Sequence, residues 1–354
     1  TEKRKAFHII SRIEDVGGEL NAYTGKEETT LYASFLREHY ERSMELIFDI
    51  VQNATFPDRE IPKEKEVILD EIDSYRDSPS ELIFDEFDSL LYPDHPLGRN
   101  ILGSEKSVKS FSKEQVINFV KRNYTPERAV LSSVGGINHS EFERLADRHA
   151  SNWKGKMDIH SRTTPFVSKS EIKHVKKEIH QSHIIIGGEG ISIHDKDYTA
   201  IVLLNNLLGG PSMNSRLNLN IRERHGIAYQ IESFINSYND SGIWGIYAGT
   251  DLETIDRCHR LIIKELTLLR DKKLGVLQFS KAKTQLLGQM ALAQESNVNM
   301  MTSLGKSLLV YNRVDTFKEI VTKVDALKIS QIQELAQQIF SSHEMSELRY
   351  VPLD

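Results

Sequence analysis

The sequence has little cysteine and no long apolar run. Cys258 is the single cysteine in 354 residues, which excludes an internal disulfide framework and a zinc cluster built from several thiolates. Apolar runs such as residues 200–204 and 308–310 fall far short of the ~20 residues that cross a bilayer. We therefore expect a chain from a reducing compartment, the cytoplasm, without a membrane partner.

The sequence also lacks basic clusters and the short motifs of several common enzyme classes. The formal net charge is −6, and no basic cluster alternates with aromatic residues, so nucleic acid is not an expected partner. The patterns Gly-x-Gly-x-x-Gly, Gly-x-Ser-x-Gly and His-Glu-x-x-His are absent, as is a Walker loop. Nucleotide binding and serine hydrolase chemistry therefore have no signature here.

The composition that remains, 39% hydrophobic and 27% charged, is typical of a globular protein with room for two domains. Strand patterns occur in adjacent pairs followed by helical periodicity, which predicts an α+β fold. Weak periodicity over residues 151–170 predicts a domain boundary there. The predicted strands are residues 19–24, 29–36, 129–134, 179–187, 228–236, 242–249 and 348–351. The predicted helices are residues 3–16, 38–54, 62–78, 80–91, 113–122 and 196–208, a helix ending at residue 224, and further helices up to residue 340.

Glu71 lies in a helical pattern, residues 62–78, on an arc that it shares with Glu64, Val67, Ile68, Ile72 and Tyr75. This arc predicts that Glu64 and Glu71 face the interior, about 10 Å apart along the helix. Burying a carboxylate is unfavourable by several kcal/mol unless a cation or strong donors meet it. The pattern therefore predicts a metal ion or a Lys/Arg partner at Glu71. The alternative is a partly buried helix, with Glu71 at its edge and hydrogen-bonded to a loop.

Two other candidate segments carry weaker signals. His174, His180 and His183 form the densest histidine cluster, but on a strand His180 and His183 would point to opposite faces, so a solvated strand face is the default interpretation rather than a metal site. Arg222 lies near a predicted helix C-terminus, where a cation interacts favourably with the helix dipole whatever its function.

Five segments together resemble the pitrilysin/insulinase superfamily of zinc peptidases, and most closely its mitochondrial processing peptidase-like branch. They keep the family's order over nearly the whole chain and are residues 17–35 (GGELNAYTGKEETTLYASF), 64–72 (EKEVILDEI), 92–103 (YPDHPLGRNILG), 123–137 (NYTPERAVLSSVGGI) and 207–229 (LLGGPSMNSRLNLNIRERHGIAY). The resemblance implies two homologous α/β-roll repeats, each an antiparallel-rich sheet covered by helices. The zinc half would be residues 1–160, and the second repeat residues 161–354.

The resemblance also assigns roles to individual residues. Members of this family bind zinc through His-x-x-Glu-His and a downstream Glu, which matches Glu71, while Glu64 matches a carboxylate that supports the zinc ligands from behind. Asn21 and Ala22 match the edge strand that pairs with an extended peptide substrate. Arg222 and Tyr229 match a pair in which Tyr stabilises the tetrahedral oxyanion and Arg positions the substrate backbone.

The chain begins at Thr1 without a methionine, and the family's two histidines and general-base Glu would fall before Thr1. We expect an N-terminal piece to be missing, so that Zn²⁺ is unbound and this chain alone is inactive. The complete protein would be a zinc metalloendopeptidase that hydrolyses peptides or unfolded polypeptides with metal-activated water. It would complete its site as a homodimer or as a heterodimer with a homologous subunit.

Two alternatives stay open beside the enzyme. One is a non-catalytic partner or structural subunit of the same fold, and the other is an unrelated regulatory binding protein that shares only the fold. Retention of Glu64 and Glu71 on a face predicted to be buried favours the enzyme, because a chain without zinc has no reason to bury two unpaired carboxylates.

Overall fold

The computed structural model describes residues 1–155, 162–166, 170–341 and 345–353. These residues divide into two compact units, each built from separate stretches of chain. Unit 1 comprises Thr1–Ile72, Ile101–Arg162 and Leu292–Asp315, and unit 2 comprises Asp73–Asn100, Thr163–Ala291 and Thr316–Asp354. Part of the predicted boundary segment, 151–170, lies outside the described residues, and the division into 1–160 and 161–354 stays a prediction.

The described chain is rich in helices, and its strands form two sheets. The α-helices are α1 (Ala6–Glu14), α2 (Tyr40–Asn53), α3 (Ile61–Arg76), α4 (Pro79–Leu91), α5 (Glu105–Ser110), α6 (Lys113–Asn123), α7 (His139–Ala150), α8 (Tyr198–Gly209), α9 (Ile255–Asp271), α10 (Val276–Ala293), α11 (Asn297–Tyr311), α12 (Phe317–Ala326) and α13 (Ile329–Ile339). The strands are β1 (Glu19–Thr24), β2 (Thr29–Ser34), β3 (Ile172–Lys177), β4 (Ser182–Glu189), β5 (Ala228–Ser237), β6 (Gly242–Thr250) and β7 (Ser346–Pro352). Among the described residues, no helix is both long enough and apolar enough to cross a membrane.

Unit 1 contains a two-stranded antiparallel sheet and a small apolar core. The core is formed by Met44 and Phe48 of α2 with Leu145 of α7, and Trp153 packs against it. The indole N–H of Trp153 donates to the carbonyl of Tyr124 at 3.2 Å, which satisfies the polar end of a mostly apolar side chain. The hairpin of β1 and β2 runs in regular register from Glu19↔Ser34 to Thr24↔Thr29.

Unit 2 is organised around a five-stranded sheet with the order β3-β7-β4-β6-β5. Pairs among the four strands from β7 to β5 are antiparallel, and β3 pairs with β7 in parallel. Side chains alternate along β4, so Ile184 and Ile186 join one apolar core while Ile185 joins a second core on the opposite face. The first core also contains residues of α8, α9 and α13, and the second contains residues of α4. Helices therefore cover both faces of this sheet.

The predicted α+β class is confirmed, and the predicted strands and helices agree with the observed ones within a few residues at most ends. The predicted strand at 129–134 is wrong. Ala129 has extended dihedral angles and Leu131 packs against the core of unit 1. Within the described part of unit 1, however, β1 and β2 pair only with each other, so no neighbour supplies the ladder of hydrogen bonds that defines a strand. Strand β3 and helices α5 and α7 were not predicted.

A buried ion pair fastens the first residues of unit 1 to α2. The Arg4 guanidinium donates to Asp49 at 2.6 Å and to Glu45 at 2.8 Å, and the Asp49 side chain is 1% exposed. Burial works against ionisation of Asp49, but hydrogen bonds from Asn53, Thr1 and Arg4 outweigh it and lower the pKa of this carboxyl. The ionised carboxylate therefore stabilises the fold.

Replacing Asp49 with Asn should lower the free energy of unfolding at pH 7 by about 3 kcal/mol, because Arg4 loses its most deeply buried counter-charge and keeps only the more exposed Glu45. A carboxyl with a lowered pKa stabilises the fold above its unfolded pKa, and this contribution is lost as the pH falls through the folded pKa. Urea unfolding should therefore show that the difference in the free energy of unfolding between wild type and Asp49→Asn becomes smaller at acidic pH.

The matched control is Asp58→Asn, which removes another carboxylate of unit 1. The Asp58 side chain is 83% exposed and pairs with Lys113 at 2.9 Å, so its loss should change the free energy of unfolding by about 0.5 kcal/mol or less. Equal losses for the two variants, or a gap that persists unchanged in acid, would contradict the role given to Asp49.

Candidate functional site

Helix α3 presents its two candidate carboxylates to solvent. Glu64 and Glu71 are both exposed, and Val67, which lies between them on the same stripe, is 50% exposed. The prediction that these carboxylates face the interior is wrong. Among the described residues no hydrogen bond or ion pair meets Glu71, and an exposed carboxylate needs none because it keeps its hydration.

The packed stripe of α3 is rotated around the helix from the predicted arc. It consists of Lys65, Ile68, Leu69 and Ile72, which recur at the i, i+3, i+4 and i+7 spacing of one helix face. Only Ile72 of this helix is buried. Lys65 reaches across to donate to the carbonyl of Lys109 at 2.8 Å. Because Val67 and Ile68 are adjacent, sequence periodicity could not decide which of the two faces the packed side.

The described residues do not form a zinc site. No group of three His, Cys, Asp or Glu side chains within them could hold a metal ion. A protein zinc site needs three or four such ligands within about 2–2.3 Å of the ion, and Glu71 offers a single carboxylate. The roles predicted for Glu71 and Glu64 therefore stay predictions.

The histidine cluster does not converge either. His183 is buried, and its Nδ1 lies 2.9 Å from the hydroxyl oxygen of Tyr247. Burial lowers the pKa of His183, which favours the neutral ring. His180 is exposed ahead of β4, and exposed His174 on β3 lies 3.7 Å from Glu347. The solvated-face interpretation therefore fits His174 and His180, whereas His183 belongs to the interior of unit 2.

Strand β1 has one hydrogen-bonding edge paired with β2 and one edge open among the described residues. The N–H of Gly25 donates to the carbonyl of Glu28 at 2.7 Å across the hairpin turn. The direction of the backbone N–H and C=O groups alternates along a strand. The N–H and C=O of Asn21 and Tyr23 therefore also point towards β2. The N–H and C=O of Ala22 then point to the open edge, which is the direction that a further strand would need.

Asn21 covers part of that open edge. Its side-chain oxygen Oδ1 accepts the N–H of Ala22 at 2.8 Å, so the outward donor of Ala22 is satisfied by its own neighbour. Every residue of β1 except Leu20 is exposed. The two residues predicted to bind peptide therefore lie on an accessible strand, and in the described part of the chain only the Asn21 side chain competes for the N–H of Ala22.

Arg222 lies on a π-helical turn that a buried glutamate holds in place. The π-helix spans Asn218–Glu223, and such turns occur frequently at functional sites. Glu265 of α9 accepts hydrogen bonds from Arg216 and Asn220, both at 3.0 Å. Ile221 is buried beside Arg222, which is itself exposed. The anchored turn thus directs the Arg222 side chain outward.

Tyr229 occupies a β-bulge at the start of β5. Ala228 pairs with Thr250 and Gln230 pairs with the preceding residue, Gly249, so Tyr229 is an extra residue with no partner on β6. Ala228 and Ile231 are buried, while Tyr229 and Gln230 between them are both exposed. The bulge therefore changes the phase of the strand and presents Tyr229 outward, with 63% of its surface exposed.

The hydroxyl of Tyr229 donates to the carboxylate of Asp251, with oxygen–oxygen distances of 3.2 and 3.1 Å. This hydrogen bond raises the pKa of Tyr229, and the negative charge of Asp251 acts in the same direction. The phenol therefore stays protonated and able to donate. Asp251 could not be predicted from the sequence. Regular strand pairing would place Tyr229 opposite Gly249, and no residue pattern predicts the bulge that brings the side chains of Tyr229 and Asp251 together.

The structure groups the candidates within their own units. Asn21, Ala22, Glu64 and Glu71 belong to unit 1, whereas Arg222 and Tyr229 belong to unit 2, where they flank the connection from the π-helix to β5. The roles of these six residues stay predictions.

Comparisons with known proteins identify the family. A family model described as Insulinase (Peptidase family M16) matches residues 1–105, and one described as Peptidase M16 inactive domain matches residues 110–286. An uncharacterized zinc protease of Bacillus subtilis is 32% identical over 342 residues, covering 96% of this chain and 83% of that protein. The mitochondrial-processing peptidase subunit beta of Neurospora crassa is 29% identical over 350 residues, covering 95% of this chain and 73% of that protein.

The fold is shared with solved structures of low sequence identity. A protease from Helicobacter pylori has a TM-score of 0.90 at 19% identity, covering 99% of this chain and 86% of that chain. A peptidase M16 inactive domain from Pseudomonas fluorescens has a TM-score of 0.89 at 20% identity, covering 100% and 85%. The family models and the 32% identical relative show that the chain belongs to peptidase family M16, a family of zinc metallopeptidases, and the predicted resemblance is confirmed.

The arrangement of side chains in the described residues predicts how much zinc the 354-residue chain retains. After equilibration with zinc and gel filtration, it should retain less than one zinc per chain, because no group of three His, Cys, Asp or Glu side chains in the described residues could hold the ion. Glu71→Gln should leave this content unchanged. Glu66→Gln, on another exposed position of α3, is the matched control. One retained equivalent of zinc that is lost only in Glu71→Gln would contradict the geometry described above.

Proposed function

We propose that this chain is a peptide-binding and oxyanion-binding part of a zinc-dependent metalloendopeptidase that acts on peptides or unfolded polypeptides. The observation that carries the proposal is the open edge of β1, where the backbone of Ala22 points away from the hairpin. Membership of a zinc metallopeptidase family supports the reaction class.

Binding at β1 is proposed to occur by addition of an antiparallel or parallel peptide strand. The N–H and C=O of Ala22 pair with the peptide backbone, and Asn21 exchanges its bond to Ala22 for a bond to the incoming chain. Backbone pairing is largely independent of side-chain identity, which suits a substrate that must be extended rather than one of fixed sequence. Folded proteins are poor substrates because their strands are already paired.

In unit 2, Arg222 is proposed to bind a carbonyl of the substrate backbone and Tyr229 to donate a hydrogen bond to the tetrahedral oxyanion. The exposed position of both side chains and the protonated phenol support these roles. Preorganised donors aimed at developing negative charge commonly account for a large part of enzymatic rate enhancement. Glu71 is proposed to contribute one metal ligand and Glu64 to support it, while the remaining ligands are not assigned to described residues.

A second candidate function, a non-catalytic partner subunit of the same fold, is supported by two observations. The described residues hold no group of three metal-binding side chains, and Glu71 is exposed rather than buried. A subunit could keep peptide binding at β1 and leave the chemistry to its partner. Glu64 and Glu71 are both exposed, so they do not favour the enzyme over a subunit without zinc.

Assembly with a homologous subunit, as a homodimer or a heterodimer, is part of the proposal. One of the similar proteins is by name a subunit beta, which supports a partner without specifying it.

The cytoplasmic location stays a proposal that rests on the single cysteine. Cys258 is buried and burial raises its pKa to about 12, so its thiol stays protonated at neutral pH.

Ala22→Pro should weaken peptide binding about tenfold, because proline removes one outward hydrogen-bond donor worth about 1 kcal/mol or slightly more. The hairpin should tolerate this change, since the N–H of Ala22 does not pair with β2 and proline is accepted on an open edge. The measurement is fluorescence anisotropy with a labelled, permanently unfolded polypeptide.

Ala22→Ser is the matched control, since it changes a small exposed side chain and keeps the backbone N–H. It should bind peptide like the wild type. Circular dichroism should show that both variants are folded. Equal affinities for Ala22→Pro and Ala22→Ser would contradict binding by strand addition at β1.

The roles of Glu71 and Tyr229 separate in a version of the chain preceded by the family's His-x-x-Glu-His segment. Glu71→Gln should lower its zinc content, whereas Tyr229→Phe should keep the zinc and lower kcat by about a hundredfold. Atomic absorption and peptide hydrolysis measure the two quantities. Equal zinc occupancy in wild type and Glu71→Gln would remove Glu71 from the ligand set, and unchanged turnover in Tyr229→Phe would remove the oxyanion role.

A further inference from the structure

The start of β5 and the end of β6 form a small polar constellation in unit 2 around Tyr229. Tyr229 is the extra residue of the bulge, and Asp251 follows directly after the last residue of β6. The Tyr229 hydroxyl lies within 3.2 Å of both carboxylate oxygens of Asp251. We propose that Asp251 is a positioning residue for Tyr229: in the free chain its carboxylate accepts the hydroxyl proton and fixes the side chain in the orientation from which the hydroxyl can turn to a peptide carbonyl. This inference rests on the role proposed for Tyr229 above.

The backbone on both sides of this pair is fixed by a buried threonine. Thr250 is fully buried, and its hydroxyl donates to the carbonyl of Ile227, one residue before β5, and lies 2.7 Å from the hydroxyl of Thr254. Thr254 in turn donates from its backbone N–H to the carbonyl of Asp251 at 3.0 Å. Both Tyr229 and Asp251 are therefore attached to backbone that cannot move independently.

The tyrosine side chain itself has no comparable support. Its surface is 63% exposed, and the bulge turns it away from the apolar core that holds Ala228 and Ile231. An exposed ring on a strand samples several rotamers, and a catalytic donor must stay close to one productive orientation. The bond to Asp251 selects one rotamer where packing does not.

The geometry of the bond also suits a donor that must be released. One phenolic proton is shared between two carboxylate oxygens, and both distances exceed the ~2.7 Å that is usual for an O–H···O hydrogen bond. A carboxylate holding the proton in this way keeps the phenol un-ionised without binding it tightly. A peptide oxygen that develops negative charge can then take over the donor, so Asp251 acts on the orientation of Tyr229 without touching the substrate.

The test is a titration of Tyr229 by ¹³C NMR in the 354-residue chain labelled at the tyrosine ζ-carbon. The resonance missing from Tyr229→Phe identifies Tyr229. In wild type it should titrate above the ordinary tyrosine range, and in Asp251→Asn at a lower pH, because the accepting charge is gone. Asp251→Glu keeps a carboxylate and should retain a midpoint above that of Asp251→Asn.

Glu253→Gln is the matched control, since it removes a carboxylate from an exposed residue two positions away. It should leave the midpoint of Tyr229 at the wild-type value. A wild-type midpoint that survives in Asp251→Asn, or an equal drop in Glu253→Gln, would overturn the assignment. Because the titration needs neither peptide nor metal, it reports on the contact between Asp251 and Tyr229 even where Tyr229→Phe leaves turnover unchanged, so failure of the contact and failure of the oxyanion role are distinguishable.

Discussion

Each β-strand has two hydrogen-bonding edges, and the backbone groups on an edge must find partners in protein or in water. In this chain, the residues proposed to bind the peptide lie at two positions where a strand lacks regular pairing with a neighbouring strand. In the described part of unit 1 the outer edge of β1 is open, and Asn21 satisfies the donor of Ala22 within the strand. In unit 2 the ladder between β5 and β6 skips Tyr229. These are the two positions at which we propose that the peptide substrate binds.

Burial decides which charged residues belong to the fold and which remain available for function. Asp49 and Glu265 are buried, and each is met by arginine, so both hold neighbouring segments in place. Glu64 and Glu71 are exposed, so neither needs a partner and neither contributes a buried charge to the fold. For Glu71 the family resemblance, rather than its surroundings in the described chain, is what connects it with zinc.

The sequence predicts the fold well where one periodic pattern dominates. Strand β1 was predicted with its observed bounds, because it is immediately followed by a short Gly25-containing turn and by the alternating pattern of β2. Helix α3 was predicted within two residues at its C-terminal end, yet its packed face was not. Its charged and apolar residues are interleaved, so a small rotation exchanges one stripe for another.

The candidate site was predictable only in part, for similar physical reasons. Asn21, Ala22, Arg222 and Tyr229 could be named from a resemblance, but their geometry could not. The π-helix around Arg222 and the bulge at Tyr229 each contain one residue more than a regular helical turn or a regular strand pairing would have. Single insertions of this kind arise from tertiary packing and leave no periodic trace. Asp251 becomes visible only once the bulge is known.

The central claim, that an extended peptide adds to the open edge of β1, is tested most directly by residue-resolved amide hydrogen exchange. In the free chain, the amides of Asn21 and Tyr23 should exchange slowly because they face β2, and that of Ala22 should exchange faster because only the Asn21 side chain covers it. With a saturating unfolded polypeptide, Ala22 should become protected while Asn21 and Tyr23 change little. Peptide-induced protection that leaves Ala22 unchanged and appears elsewhere would contradict the account.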